Sequence, residues 1–132
     1  MKTNYTVIIL LFQLLLSCSN PKPERKDFIG TWKSDDGAMF QLHEDGSITA
    51  KQINLSKIFF EDEMQANKLD FTGKWEFATD NYQRRIIKVT AGKYTFSFNI
   101  TGQGITENKP PWYLFAWIGD PDEMDKYEFR KT

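Results

Sequence analysis

The sequence predicts an all-β domain, a small antiparallel up-and-down barrel of about eight strands. Three observations predict it. Large apolar residues recur at every second position, turn-forming residues separate these alternations, and the aromatic residues, 15% of the chain, fall mostly on one face of each alternation. Tyr94-Thr95-Phe96-Ser97-Phe98-Asn99-Ile100 alternates without a fault, as a half-buried antiparallel strand does when one face meets a core and the other meets water.

The chain has 132 residues, with 17 basic against 18 acidic, a net charge of -1 and 27% charged residues. That length fits one compact domain. The mixed, near-neutral balance excludes a disordered polymer and a generic nucleic-acid binder, so no nucleic-acid partner is expected.

The first seventeen residues stand apart. Lys2 supplies a positive start, and Val7 to Leu16 (VIILLFQLLL) is a ten-residue apolar run broken only by Gln13. At about 1.5 Å per residue such a run spans roughly 15 Å, half of a hydrocarbon core of about 30 Å. It reads as the hydrophobic region of a signal peptide over 1–17 and not as a membrane span. Leu15-Leu16-Ser17-Cys18 resembles the lipobox of bacterial lipoproteins. The resemblance implies cleavage after Ser17, diacylation of the Cys18 thiol and often a third acyl chain on the new amino terminus. Cys18 is the only cysteine, so no disulfide forms within the chain. Two or three acyl chains, at about 0.8 kcal/mol per buried methylene, make a lasting anchor. The expected location is the cell envelope, lipid-anchored to a membrane. Ser19 is compatible with the sorting pattern for the outer membrane, on its periplasmic face. Ser19 to Asp27 is polar and carries two prolines, so 18–27 is read as anchor and tether and 28–132 as the barrel domain.

From Phe28 the alternations run in order: Phe28/Gly30/Trp32, Ala38/Phe40/Leu42, Ser47 to Ile53, Phe71/Gly73/Trp75/Phe77, Ile87/Val89, Tyr94 to Ile100, Trp112 to Ile118, and Tyr127/Phe129. Asp35-Asp36-Gly37, Glu44-Asp45-Gly46-Ser47, Thr79-Asp80-Asn81 and Ala91-Gly92-Lys93 supply hairpin-type connections between them. Leu55 to Lys68 is either an extension of the third strand followed by a loop or a short helix with Ile58, Phe59 and Met64 inward. Gly102 to Pro111 reads as a surface loop.

Phe28-Ile29-Gly30-Thr31-Trp32 and Phe71-Thr72-Gly73-Lys74-Trp75 share the pattern F-x-G-x-W. A strand glycine admits a close backbone or a flat ring and permits the bend that a small barrel needs. The first copy, Gly30-Thr31-Trp32, is similar to the N-terminal G-x-W signature of the lipocalins and their calycin relatives. That resemblance implies a barrel closed at one end by Trp32, with Arg130 as the counterpart of the family's last-strand arginine packed on the tryptophan. Together with the internal repeat, which places Gly73 and Trp75 in the same role, this gives a closure set of Gly30, Trp32, Gly73, Trp75 and Arg130. Thr79-Asp80-Asn81-Tyr82 echoes the family's T-D-Y motif with Asn81 inserted.

The function this implies is non-catalytic. A barrel of this size is either filled by side chains or holds one small ligand, and the many inward rings take up much of the volume. One candidate is a small apolar ligand against Phe40, Phe96 and Phe98. The other is a protein contact, in an inhibitor module or the like, or a sugar contact, through Tyr113, Phe115 and Trp117. These three lie on the second apolar face of Trp112 to Ile118 and are bare unless Leu55 to Lys68 covers them. His43, the sole histidine, reads as a turn residue with no G-x-S-x-G elbow to accompany it. Gly119 to Asp125 clusters four carboxylates, but Met124 and Asp125 stand where a calcium loop needs a ligand and a glycine. The segment reads instead as a capped turn, with Asp120 as N-cap and Pro121 following it. No catalytic residue, metal or cofactor is assigned.

Overall fold

The computed structural model describes residues 21–59, 68–102 and 109–132. The leader, Cys18 and Met64 lie outside the described residues. Eight strands follow one another: β1 (Gly30–Lys33), β2 (Met39–Leu42), β3 (Ser47–Asn54), β4 (Lys68–Thr79), β5 (Arg85–Ala91), β6 (Tyr94–Ile100), β7 (Leu114–Trp117) and β8 (Lys126–Lys131). Each pairs antiparallel with the next, and β8 returns to β1, giving a closed up-and-down barrel in sequence order. The fold class is the one predicted, and the architecture is consistent with a lipocalin-like barrel.

Closure sends one side chain of each alternating pair inside. Phe40, Phe98 and Phe129 meet at the centre, with Phe40 to Phe98 centroids 4.9 Å apart, Phe40 to Phe129 4.9 Å and Phe98 to Phe129 5.3 Å. Trp32 stacks on Phe40 at 6.4 Å, and Phe96 meets Phe98 edge-on at 5.5 Å. Offset and edge-to-face pairs of this kind contribute about 0.5 to 1.5 kcal/mol each beyond burial.

One end of the barrel is sealed by residues that the sequence reading divided between tether and first strand. Arg25–Phe28 forms a single 3₁₀ turn, and Phe28, fully buried, stacks on Trp32 at 6.0 Å and meets Phe77 at 5.5 Å. Pro23 is buried as well, so among the described residues the packed body includes Pro23 and the turn that follows it. The Trp32 indole N–H donates to the Phe28 carbonyl at 2.9 Å, and the Trp75 indole N–H donates to the His43 carbonyl at 2.8 Å. Arg25 lies 4.6 Å over the Trp75 ring and donates to the Glu44 carbonyl at 2.8 Å. Both tryptophans thus sit at this end, each tied to a backbone carbonyl.

The two glycines of the repeated motif serve different purposes. Gly30 has φ +136° and lies under the Lys131 side chain, whereas a Cβ on Gly73 would collide with the Thr90 carbonyl oxygen and lie 3.1 Å from Ala91 Cα. The Gly73 site is therefore a backbone-to-backbone contact between β4 and β5.

Arg130 is not on Trp32. Tyr127 and Phe129 point inward, which turns Arg130 to the outer wall, 4.3 Å over the Tyr113 ring. Lys131 has the inward parity: it pairs with Trp32 across the β1–β8 seam, and its Nζ donates to the Asp27 carbonyl at 2.9 Å. The basic residue that meets the closing turn is therefore the lysine one position further on.

The remaining segments resolve in part. Leu55–Lys57 is a 3₁₀ turn, with Ile58 and Phe59 packed against the core. Pro121–Glu123 is a 3₁₀ turn whose N-cap Asp120 accepts the Asp122 N–H at 3.0 Å.

Gly73→Val is expected to destabilise the barrel by about 1 to 3 kcal/mol or more through forced separation of β4 and β5. Thermal unfolding monitored by near-UV circular dichroism checks this, with a midpoint lower by several degrees expected.

Candidate functional site

β1 runs from the sealed end to the turn at residues 34–38, which therefore belongs to the opposite end. There a polar latch and a group of half-buried rings share the rim.

The latch is centred on Asp36. Its carboxylate accepts hydrogen bonds from the Ser34 hydroxyl, from the Ala38 N–H at 3.1 Å, from the Tyr127 hydroxyl at 3.3 Å and from Lys57 Nζ at 3.1 Å. Lys68 Nζ donates to the Asp36 carbonyl at 3.0 Å, and Lys57 Nζ lies 4.7 Å over the Tyr127 ring. The Tyr127 hydroxyl in turn accepts the Asn54 N–H at 3.4 Å. The first hairpin is thereby fastened to the end of β3, the start of β4 and the start of β8. Burial alone would push the Asp36 carboxyl up, but the donors around it outweigh that and hold it at about 2. Burial first, and then the neighbouring carboxylate, push the Tyr127 phenol up to about 12.

Beside the latch, Phe59, Phe71 and Tyr94 are half-buried around Phe96. Phe59 lies 5.7 Å from Tyr94 and 5.8 Å from Phe96, and Phe71 lies 6.1 Å from Phe96. Below them the Phe40–Phe98–Phe129 contact forms a floor. Of the three predicted lining residues, Phe40 and Phe98 are each 1% exposed and belong to that floor, and Phe96 is 7% exposed. Pattern reading named the deep rings because alternation ranks residues by face and not by height along the strand. In the sequence Phe59 reads only as one residue of a possible helix, and Phe71 and Tyr94 only as members of strand alternations.

Two grooves flank the latch. One of about 380 Å³ passes Lys33, Met39, Lys51, Gln52 and Asp70, and one of about 210 Å³ passes Asp35, Lys57, Lys126 and Glu128. The first follows a β-bulge between Ala50 and Ile53, where Gln52 adopts φ +55° and its N–H donates to Asp70 at 2.8 Å.

The outer row on β7 is less bare than its sequence suggests. Phe115 is 8% exposed, with Trp117 edge-on at 5.1 Å and Tyr113 at 6.4 Å. The outward residues of β8 lie across the rings: Lys126 Nζ stands 4.5 Å from the Phe115 centroid and 5.2 Å from that of Trp117, and Arg130 covers Tyr113. Each such cation over a ring contributes about 0.5 to 1 kcal/mol at an exposed site. The His43 ring, half-buried, pairs with the Thr49 hydroxyl at 3.2 Å.

No protein-family model matches the chain, and neither does any curated protein or solved structure.

The latch makes stability depend on pH in a defined direction. The Asp36 carboxyl titrates near 3.8 when unfolded and about 2 when folded, so its contribution is present above about pH 3.8 and is lost as the pH falls toward 2. The Tyr127 phenol ionises near 10 unfolded and about 12 folded, so stability also falls as the pH rises above 10. Asp36→Asn is expected to cost about 1 to 2 kcal/mol at neutral pH and to flatten the acid limb of a urea-stability profile. A shallower limb remains from Asp45, which hydrogen bonds from the Ser47 hydroxyl and N–H hold below its ordinary range.

Proposed function

We propose that this protein is a cell-envelope lipoprotein, anchored through an acylated Cys18 to the periplasmic face of the outer membrane. Its lipocalin-like barrel binds a small apolar ligand without catalysis. The observation that carries the binding reading is the set of half-buried rings, Phe59, Phe71 and Tyr94 around Phe96, at the end opposite the sealed one. Apolar side chains in a concave site supply affinity, and a few polar groups at the rim orient the ligand. Here the rim carries Asp36, Lys57 and Tyr127. The stacked floor beneath suits a shallow, compact ligand and not a long chain threaded through the barrel. Cys18 follows a hydrophobic run and a small residue, which supports the anchor.

A second reading is a protein-contact module that uses Tyr113, Phe115 and Trp117. It is supported by three adjacent rings on the outer wall, a row that barrel packing does not require. Trp117→Ala separates the two readings, since it leaves ligand uptake at the mouth unchanged and removes partner capture.

Titration with the neutral fluorescent probe N-phenyl-1-naphthylamine is expected to show saturable uptake by the wild-type chain. Phe71→Ser is expected to weaken it about tenfold or more, as loss of a ring contact of 1.5 to 3 kcal/mol implies. Absence of saturable uptake, or equal uptake by the variant, overturns the mouth assignment. For the anchor, mass spectrometry of the chain extracted from membranes is expected to show acyl mass on Cys18. Cys18→Ala is expected to abolish that mass and leave the protein in the soluble fraction.

A further inference from the structure

The sealed end carries the β4–β5 hairpin, whose Phe77 meets Phe28 in the seal and whose tip lies beyond Thr79. β4 pairs with β3 as far as Lys74 and with β5 as far as Thr79, and β6 flanks β5 as far as Ile86, so the β4–β5 hairpin projects past β3 at the end where the Arg25–Phe28 turn sits. Its tip is rigidly built. Asp80 accepts the N–H groups of Tyr82 and Arg84, both at 2.8 Å, and pairs with the Arg84 guanidinium at 3.1 Å. The ring held out by this frame is Tyr82, 79% exposed, with Arg84 5.2 Å from its centroid.

The chain also enters the barrel at this end. Pro23 is buried, and the steps from Cys18 to Pro23 span at most about 18 Å when fully extended. Resting on the lipoprotein reading above, this leash keeps the sealed end within a short distance of the lipid to which Cys18 is joined. We infer that the sealed end docks on the bilayer surface, with Tyr82 seated among the lipid headgroups and the ligand mouth directed away from the membrane.

The chemistry fits that occupant. A phenol has an apolar body and a polar tip and favours the headgroup layer, and a neighbouring guanidinium suits lipid phosphate. The charges at this end are mixed, with Lys22, Arg25, Lys26, Arg84, Arg85, Lys109 and Lys131 set against Glu24, Asp27, Glu44, Asp45 and Asp80. The anchor supplies the affinity by raising the local concentration, and the hairpin sets the orientation.

Cys18 is the only cysteine, so the chain 18–132 can be coupled through it to a maleimide-bearing lipid in phosphatidylethanolamine–phosphatidylglycerol vesicles. Hydrogen exchange of the coupled chain is then compared with that of the same chain free in solution. Coupling is expected to slow exchange at residues 80–84 at least threefold and to leave the turn at 34–38 and residues 118–125 unchanged. Tyr82→Ser is expected to lose that protection while keeping the wild-type melting temperature. Unchanged exchange at 80–84, or stronger protection at the 34–38 end, overturns the docking face. The acyl mass on Cys18 of the chain extracted from membranes decides the lipoprotein reading separately.

Discussion

Three rings, Phe40, Phe98 and Phe129, meet at the centre of the barrel with centroids 4.9 to 5.3 Å apart, and the layers above and below are arranged around that contact. It joins β2, β6 and β8, strands that are not neighbours in the wall, so it reaches across the lumen and fixes its diameter. A slip of one residue in any of the three would turn its ring outward and leave a void where close packing is required. The two ends then face a simpler problem, since each has only to cover what the central rings leave open.

They solve it with different chemistry. At the sealed end, neutral indole N–H groups are satisfied by the carbonyls of Phe28 and His43, and the covering turn brings its own phenylalanine into the core. At the other end the first hairpin is held by a carboxylate, Asp36, through its bonds to Lys57 and Tyr127. The indole bonds themselves carry no titrating group, while the latch is built on one. The two closures also suit the proposed arrangement, with the anchor near the first and ligand uptake near the second.

Most of the wall was legible in the sequence because a strand carries its own record: parity is local, and Tyr94 to Ile100 states it within seven residues. What failed was longer in range or finer in parity. Phe28 reads as the first residue of an alternation, yet it turns into a 3₁₀ cap because its ring is wanted by Trp32 and Phe77. Arg130 and Lys131 are both basic, and only the inward setting of Tyr127 and Phe129 shows which one reaches the closing turn. Of the candidate site, the inward sense of Phe71, Tyr94 and Phe96 was legible, but not the depth that separates mouth from floor. The Asp36 latch left no local trace, since Lys57 and Tyr127 lie 21 and 91 positions away. The covering of the β7 rings did leave one, in the outward parity of Lys126, Glu128 and Arg130 set against Tyr113, Phe115 and Trp117.

The seam between β8 and β1 is narrow. Two residue pairs hold it, Trp32 with Lys131 and Lys33 with Arg130, extended by the Thr132 N–H donating to the Thr31 carbonyl at 3.0 Å. Every other strand pair joins segments adjacent in the chain, whereas this one joins residues about a hundred positions apart, as the separation of 101 between Thr31 and Thr132 shows. The loop-closure entropy of the cylinder therefore falls most heavily on this one pairing. A twisted ribbon of hairpins can assemble from near neighbours, and the circle is completed when β1 and β8 come together beneath the Arg25–Phe28 turn. That turn lies next to the seam, so the segment that seals the barrel also stands over the place where it last opens to solvent.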